Sequence, residues 1–343
     1  MTEAEALDLF RSDDLIALGL AADAVRRRLH PEGIVTYIID RNVNYTNFCT
    51  EYCSFCAFYR PMGSSEGYLL SHQAIFEKIQ ETLDLGGTGI LMQGGLHGDL
   101  KIEWYEELLR AIKGRFPRLH LHCFSAPEVL NIAEISGLSL RDTIARLRDA
   151  GLDSLPGAGA EILDDEVRRR ISRLKCTTEE WLQVHRTAHA HGLRTTATMM
   201  FGCGETHQHR VRHFLRIRQL QQDTGGFTAF IPWIFQRANT SLGNFIKEEA
   251  TAVDYLKTMA VSRMFLDNIE NIQASWLTPG LKLGQIALRF GGNDMGSILI
   301  EENVVSAAGC VNRTNEEELR RTIRDAGFRP VQRDTLYRTF FLK

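Results

Sequence analysis

The sequence predicts an α/β protein built as a (β/α)8 TIM-type barrel. Short β-rich runs alternate with amphipathic helical runs, one such unit takes roughly 30–40 residues, and the runs supply enough strands to close a barrel. A chain of 343 residues with 44% hydrophobic side chains has the apolar material for one large core, which excludes a disordered chain. The charge is nearly balanced, 43 acidic against 40 basic side chains, and this excludes a dedicated polyanion binder, so no nucleic-acid partner is expected. Residues 1–20 are acidic and amphipathic rather than a secretory leader, and no run approaches a membrane span; a cytoplasmic protein without a membrane partner is expected.

In chain order, residues 1–33 read as an N-terminal helical extension of two short helices. Strands are expected at 43–47, 89–92, 119–124, 154–155, 194–200, 227–232, 272–275 and near 288–292. Helices are expected at 71–85, 102–113, 178–190, 207–222 and 251–267, each opening near a Ser, a Thr or an acidic residue, as helix starts prefer. The barrel domain then occupies 34–314. Residues 315–343 form a C-terminal helical and extended segment packed on it, neither terminal piece being large enough for its own core.

Three of the seven cysteines, Cys49, Cys53 and Cys56, crowd into eight residues as C-x3-C-x2-C, directly after the first expected strand. Cysteines so close belong to a metal or to redox chemistry. Three thiolates on one loop hold three irons of a [4Fe–4S] cube and leave the fourth iron open, whereas structural zinc wants four ligands in paired knuckles and no second CxxC exists. Barrel active sites form at the C-terminal ends of strands, so the residues just after each strand carry weight. Gln93, Gly94 and Gly95 follow the second, and side-chain-free glycines let backbone approach a ligand. Ser125 follows the third and reads equally as the start of a capping box, Ser-Ala-Pro-Glu. Glu161 follows the fourth with a carboxylate suited to a ribose diol or an ammonium. Arg168, Arg169, Arg170 and Arg173 read as a solvated helix face, and His185 with His189 as surface residues at helical spacing.

With its aromatic Phe55 before the last cysteine, this motif resembles that of the radical S-adenosylmethionine (SAM) superfamily. The resemblance implies that Cys49, Cys53 and Cys56 ligate a [4Fe–4S] cluster whose open iron chelates SAM, and that an electron from the reduced cluster yields a 5′-deoxyadenosyl radical. Phe55 then lies beside the adenine, Gln93, Gly94 and Gly95 receive the methionine ammonium, and Ser125 and Glu161 contact SAM. Lys175, or a neighbouring Arg, is the candidate for the cofactor carboxylate. The stretches 34–47, 56–60, 195–202, 225–233 and 291–304 look like those of the cyclic dehypoxanthinyl futalosine synthases of the futalosine route to menaquinone.

That resemblance implies closure of the ribose of dehypoxanthine futalosine onto its benzoate ring after loss of the C4′ hydrogen, with an electron donor such as a flavodoxin or ferredoxin. Met200 and Trp233 at strand ends suit the benzoate, while His97 and Asn293 suit the polar groups of the substrate. Glu205 and Asp294 are the candidate bases for the final proton loss; both read equally as helix N-caps or as hydrogen-bonding residues behind the site, and the sequence does not choose between them. Two other readings compete. One is an aminofutalosine synthase-like or deazaflavin synthase-like radical enzyme, and the other is a non-catalytic metal-cluster scaffold.

Overall fold

The computed structural model describes residues 1–339. Among the described residues there are ten strands: β1 (Ile34–Ile38), β2 (Asn42–Val43), β3 (Gly89–Met92), β4 (His120–Cys123), β5 (Ser154–Leu155), β6 (Arg194–Phe201), β7 (Phe227–Ile234), β8 (Asn271–Ile272), β9 (Asp294–Ser297) and β10 (Arg329–Gln332). Strands β2 to β8 form one parallel sheet in sequence order, curled with helices on its outer side. A second parallel sheet has the order β10-β1-β9, and a bridge between Gln273 and Asp294 carries the first sheet into it. The TIM-type architecture expected from the βα rhythm is present. Among the described residues no helix is long and apolar enough to cross a membrane.

Two details depart from expectation. The eighth strand is not 288–292. Those residues turn out of the helix Leu281–Ala287 through Gly291, at φ +99°, and the strand follows at Asp294–Ser297. The expected first strand, 43–47, pairs regularly only at Asn42–Val43; the longer extended segment lies upstream at Ile34–Ile38. The N-terminal helices Glu3–Arg11 and Leu15–Leu29 are present, as is the helix Glu316–Asp325 followed by extended chain.

The second sheet is braced across its strands by one buried ion pair. Arg333, just past β10, reaches Asp294 of β9 with Nε at 2.6 Å from one carboxylate oxygen and Nη2 at 2.9 Å from the other. Thr36 Oγ1 of β1 donates to the same carboxylate at 2.6 Å, and the Gly296 N–H at 2.8 Å. Asp294 is fully buried, so its charge is tolerable only with these donors in place. This fixes the C-terminal segment against β1 and β9, and with it the residues that segment sends into the barrel. Replacing Arg333 with Met strands a buried carboxylate, and denaturant unfolding is expected to show a loss of about 3–5 kcal/mol.

Candidate active site

The site is built around the cysteine loop at the C-terminal ends of the strands. The loop is tied at both ends and at its middle. Cys49 N–H donates to Arg60 O at 2.9 Å, and Arg60 N–H returns to Asn47 O at 2.7 Å. Ser54 donates through both N–H and Oγ to Ile171 O, at 2.9 and 2.8 Å, while its own carbonyl accepts from Leu242 N–H at 2.8 Å. Cys49 and Cys53 are buried, and burial pushes both thiols up. Thiols so held ionise only against a strong local positive charge, which a metal cluster provides.

The glycine turn after β3 lies on this loop. Gly95 N–H donates to Thr46 O and Thr50 N–H to Leu96 O, both at 3.0 Å. A Cβ at Gly95 would stand 2.2 Å from Phe48 O and 2.8 Å from Cys49 Cβ, so no other residue fits there without moving the cysteine loop. Behind the turn, Glu128 accepts from Gly94 N–H at 2.9 Å, Tyr45 Oη at 2.8 Å, and Ser125 N–H and Oγ at 2.7 and 2.6 Å. Ser125 therefore does cap its helix, as one of its two readings held, and it also lines the central cavity.

On the facing wall, Glu161 sits at φ +38°, an uncommon conformation for a residue with a side chain. Lys175 Nζ lies 3.0 Å from Glu161 Oε1 and 5.3 Å from the centre of the Phe55 ring. Burial opposes the charge on Lys175, but Glu161 and the nearby Cys53 thiol outweigh it and hold the ammonium above its ordinary range. Glu161 Oε2 is buried without a hydrogen-bond partner among the described residues, with the Arg168 guanidinium 3.6 Å away. Glu51 Oε2, on the cysteine loop, is likewise unsatisfied, and burial pushes that carboxyl up. Two orphaned carboxylate oxygens beside three thiols leave acceptors for a ligand's donors.

These groups share one cavity of about 440 Å³. Cys49, Cys53, Cys56, Phe55, Gln93, Gly94, Gly95, Ser125, Glu161, Lys175 and Trp233 all line it, so the structure brings the cluster, cofactor and one of the substrate candidates together. Five candidates do not line it. Glu205 is locked away: its carboxylate accepts from Gly202 N–H, Cys203 N–H and Arg210 Nε, each at 2.8 Å. Burial raises this carboxyl, yet Arg210 and the N–H groups outweigh it and leave the group below its usual range. Asp294 is committed to Arg333. Asn293 is committed to Arg263 and Asn271, at 2.6 and 2.8 Å. Met200 is sealed in the core, and His97 packs edge-on to Phe48 behind the glycine turn. The structure therefore does not bring the expected bases Glu205 and Asp294 to the cavity, nor the expected substrate residues Asn293, Met200 and His97.

Two surface readings are corrected as well. Arg168 is buried and braces Glu161's turn, donating to Gly159 O at 3.1 Å and Ala160 O at 2.7 Å. His185 is fully buried against Trp181, with ring centres 3.9 Å apart. The cavity also holds residues the sequence reading passed over, among them His122, Thr196, Gln273 and Glu302. A signal existed for some: parallel strands buried on both faces are ordinarily apolar throughout, whereas β4 alternates His-Leu-His-Cys and β6 carries Thr195, Thr196 and Thr198.

Comparison with known proteins agrees with this geometry. Residues 43–217 match the model of the radical SAM superfamily, and 224–341 match that of the CofH/MqnC C-terminal region. The chain belongs to the radical SAM superfamily and is a radical SAM enzyme. It is 50% identical to a cyclic dehypoxanthine futalosine synthase of Halalkalibacterium halodurans, over 98% of this chain and 91% of the relative. A cyclic dehypoxanthine futalosine synthase of Streptomyces coelicolor is 48% identical over 98% and 85%. A 5-amino-6-(D-ribitylamino)uracil–L-tyrosine 4-hydroxyphenyl transferase of Methanothermobacter thermautotrophicus is 44% identical over 98% and 94%. Among solved structures, methylornithine synthase shares the fold with TM-score 0.72 at 19% identity, covering 96% of this chain and 94% of its own. The FeFe-hydrogenase maturase HydG from Carboxydothermus hydrogenoformans does so with TM-score 0.75 at 18%, covering 98% and 77%.

Membership of the superfamily implies SAM and an iron–sulfur cluster, and the residues present fit both: three thiols on a pinned loop, a side-chain-free cradle at Gly95, and unsatisfied carboxylates facing them. Replacing Cys53 with Ala is expected to remove iron, read by metal analysis, while circular dichroism shows the barrel still folded. Replacing Glu161 with Gln is expected to weaken SAM binding by about 1.5–3 kcal/mol, the range of a charge-assisted hydrogen bond, and to spare iron content; equilibrium binding and metal analysis check both.

Proposed function

We propose that this enzyme converts dehypoxanthine futalosine to cyclic dehypoxanthinyl futalosine in the cytoplasm, for menaquinone biosynthesis. The observation that carries the reading is the near-full-length likeness to two synthases of that name, at 50% and 48% identity, which spans both the cluster half and the C-terminal half of the chain. A bound, reduced [4Fe–4S] cluster with SAM supplies the 5′-deoxyadenosyl radical that takes the ribose C4′ hydrogen. An electron donor of the flavodoxin or ferredoxin class serves it.

The chain's own residues do the holding. Cys49, Cys53 and Cys56 offer the three thiolate ligands. The free oxygen of Glu161 accepts from the ribose or the ammonium of SAM, Lys175 offers a cation for its carboxylate, and Phe55 a face for the adenine. Across the cavity, Ile231, Trp233, Trp276 and Leu299 form an apolar wall against which the benzoate ring packs and from which water is excluded. A carbon radical abstracts from most C–H bonds within reach, so the wall must hold C4′ near contact distance and keep everything else back.

The test is anaerobic turnover with dehypoxanthine futalosine, SAM and a reductant. The expected product is lighter than the substrate by two hydrogens, with 5′-deoxyadenosine released alongside it. Deoxyadenosine release with L-tyrosine and 5-amino-6-(D-ribitylamino)uracil instead, and none with dehypoxanthine futalosine, would assign the chain to the transferase reaction named for its archaeal relatives.

A further inference from the structure

The floor of the chamber carries a hydrogen-bonded chain that leads out of it. His122 of β4 lines the chamber, and its Nδ1 lies 2.6 Å from Ser154 Oγ of β5, the residue paired with it in register. The same hydroxyl lies 2.7 Å from Nε2 of His120, two residues back on β4 and so on the same face of the strand. His120 lines a second, separate cavity at the opposite end of the strands, with Lys113, Asp153, Asp334 and Arg338. There Lys113 pairs with Asp153 at 2.5 Å and Arg338 with Asp334 at 2.6 Å, so this outer cavity is charged where the chamber is largely apolar. Ser154 is 1% exposed, and among the described residues its hydroxyl bonds the two imidazoles alone. His122 Nε2 has no hydrogen-bond partner among the described residues and sits on the one histidine that faces the chamber.

Ring closure, on the reading given above, leaves the attacked ring carbon still bearing its hydrogen, and aromaticity returns only when that proton and one electron are gone. With Glu205 and Asp294 locked in ion pairs, the chamber must supply another acceptor. We propose that His122 is the catalytic base, taking this proton on Nε2 and passing one through Ser154 to His120 and the outer cavity. The ring C–H bond breaks, its electron pair stays with the ring, and the ring gives one electron to an acceptor of the iron–sulfur class. As Nε2 gains a proton, Nδ1–H gives one to Ser154 Oγ, whose own hydrogen passes to His120 Nε2; His120 Nδ1 releases a proton outward. One proton enters, one leaves, and neither imidazole stays charged.

The relay answers a physical need. Burial, with the neighbouring His120 and Arg333, holds His122 down to about 3, so the ring is neutral and its imidazolium is costly where it stands. An acceptor that unloads as it loads avoids that cost. Ser154 and His120 act through His122 and are positioning residues.

The experiment compares His122→Gln, Ser154→Ala and Ser154→Thr with the unchanged holoenzyme, measuring deoxyadenosine and cyclic product in the same anaerobic reaction. A base of this kind contributes about 10²–10⁴-fold. In His122→Gln the ratio of product to deoxyadenosine is expected to fall at least a hundredfold, with a substrate-derived radical accumulating in electron paramagnetic resonance spectra. Ser154→Ala is expected to lower the ratio, and Ser154→Thr, which returns a hydroxyl, to restore it. A second readout needs no turnover: in substrate-free protein, nitrogen-15 resonances of His120 and His122 should both shift on Ser154→Ala. Product and deoxyadenosine falling together, at an unchanged ratio, would show a merely structural role and overturn the proposal, as would imidazole resonances that ignore Ser154. Absence of deoxyadenosine from the unchanged enzyme given dehypoxanthine futalosine would sink the substrate reading instead, and the resonances would still report whether the chain is wired.

Discussion

The close approach of Gly95 to the Phe48–Cys49 backbone is the contact on which the site depends. It presses the turn after β3 against the cysteine loop with no side chain between them, and the paired N–H donors at Gly95 and Thr50 stitch the two together. Because the turn is an extension of β3 and the loop an extension of β2, the sheet itself sets where the thiols stand. Ser54, held from one side by Ile171 and from the other by Leu242, fixes the loop's middle. Thiols placed this way need no ligand to find their positions, which is what a preorganised site requires.

Around that contact the structure tolerates arrangements that cost stability. Tyr52, Phe124 and Glu161 all adopt positive φ, at 48°, 62° and 38°, and each lies on a segment facing the cavity. Left-handed backbone at bulky residues costs of order 1–3 kcal/mol each and persists only where the surroundings enforce it. Arg168 enforces it at Glu161 by binding the carbonyls of Gly159 and Ala160, and Lys175 supplies the compensating charge. The same economy appears in the lower barrel, where Asp294 is buried for the sake of Arg333. Bracing groups such as Asp294 and Glu205 are thus saturated with donors, while Glu51, Glu161 and His122 keep an atom free toward the chamber.

That division marks what the sequence could disclose. The barrel was legible from the βα rhythm, and the cysteine loop, the glycine turn and Glu161 because each is a local signal placed just after a strand; Lys175, between the helices Asp165–Ile171 and Thr178–Ala190, rested on the resemblance. Glu205 and Asp294 carried the same local signal and mean something else, since Arg210, five residues on in the next helix, takes up one carboxylate and Arg333, from a distant segment, the other. Arg333 lies 39 residues beyond Asp294 and arrives on a strand inserted beside β1, which no local pattern announces. His185 was misread for a related reason: its polarity suggests exposure, while Trp181 and Phe227 enclose it. The strand 288–292 was displaced because glycines there end a helix rather than begin a strand.

The proposed function stands on Cys49, Cys53 and Cys56, which would hold three irons of a [4Fe–4S] cluster and leave the fourth for SAM in the cavity that Glu161 and Lys175 also line. Electron–nuclear double resonance on the anaerobically reconstituted, reduced protein, with SAM labelled in its amino nitrogen and carboxylate oxygen, tests this directly. The account predicts hyperfine coupling of both labels to the cluster, with the coupling weakened or lost in Glu161→Gln. A cluster signal that is unchanged by labelled SAM, or protein that takes up no iron at all, would contradict it.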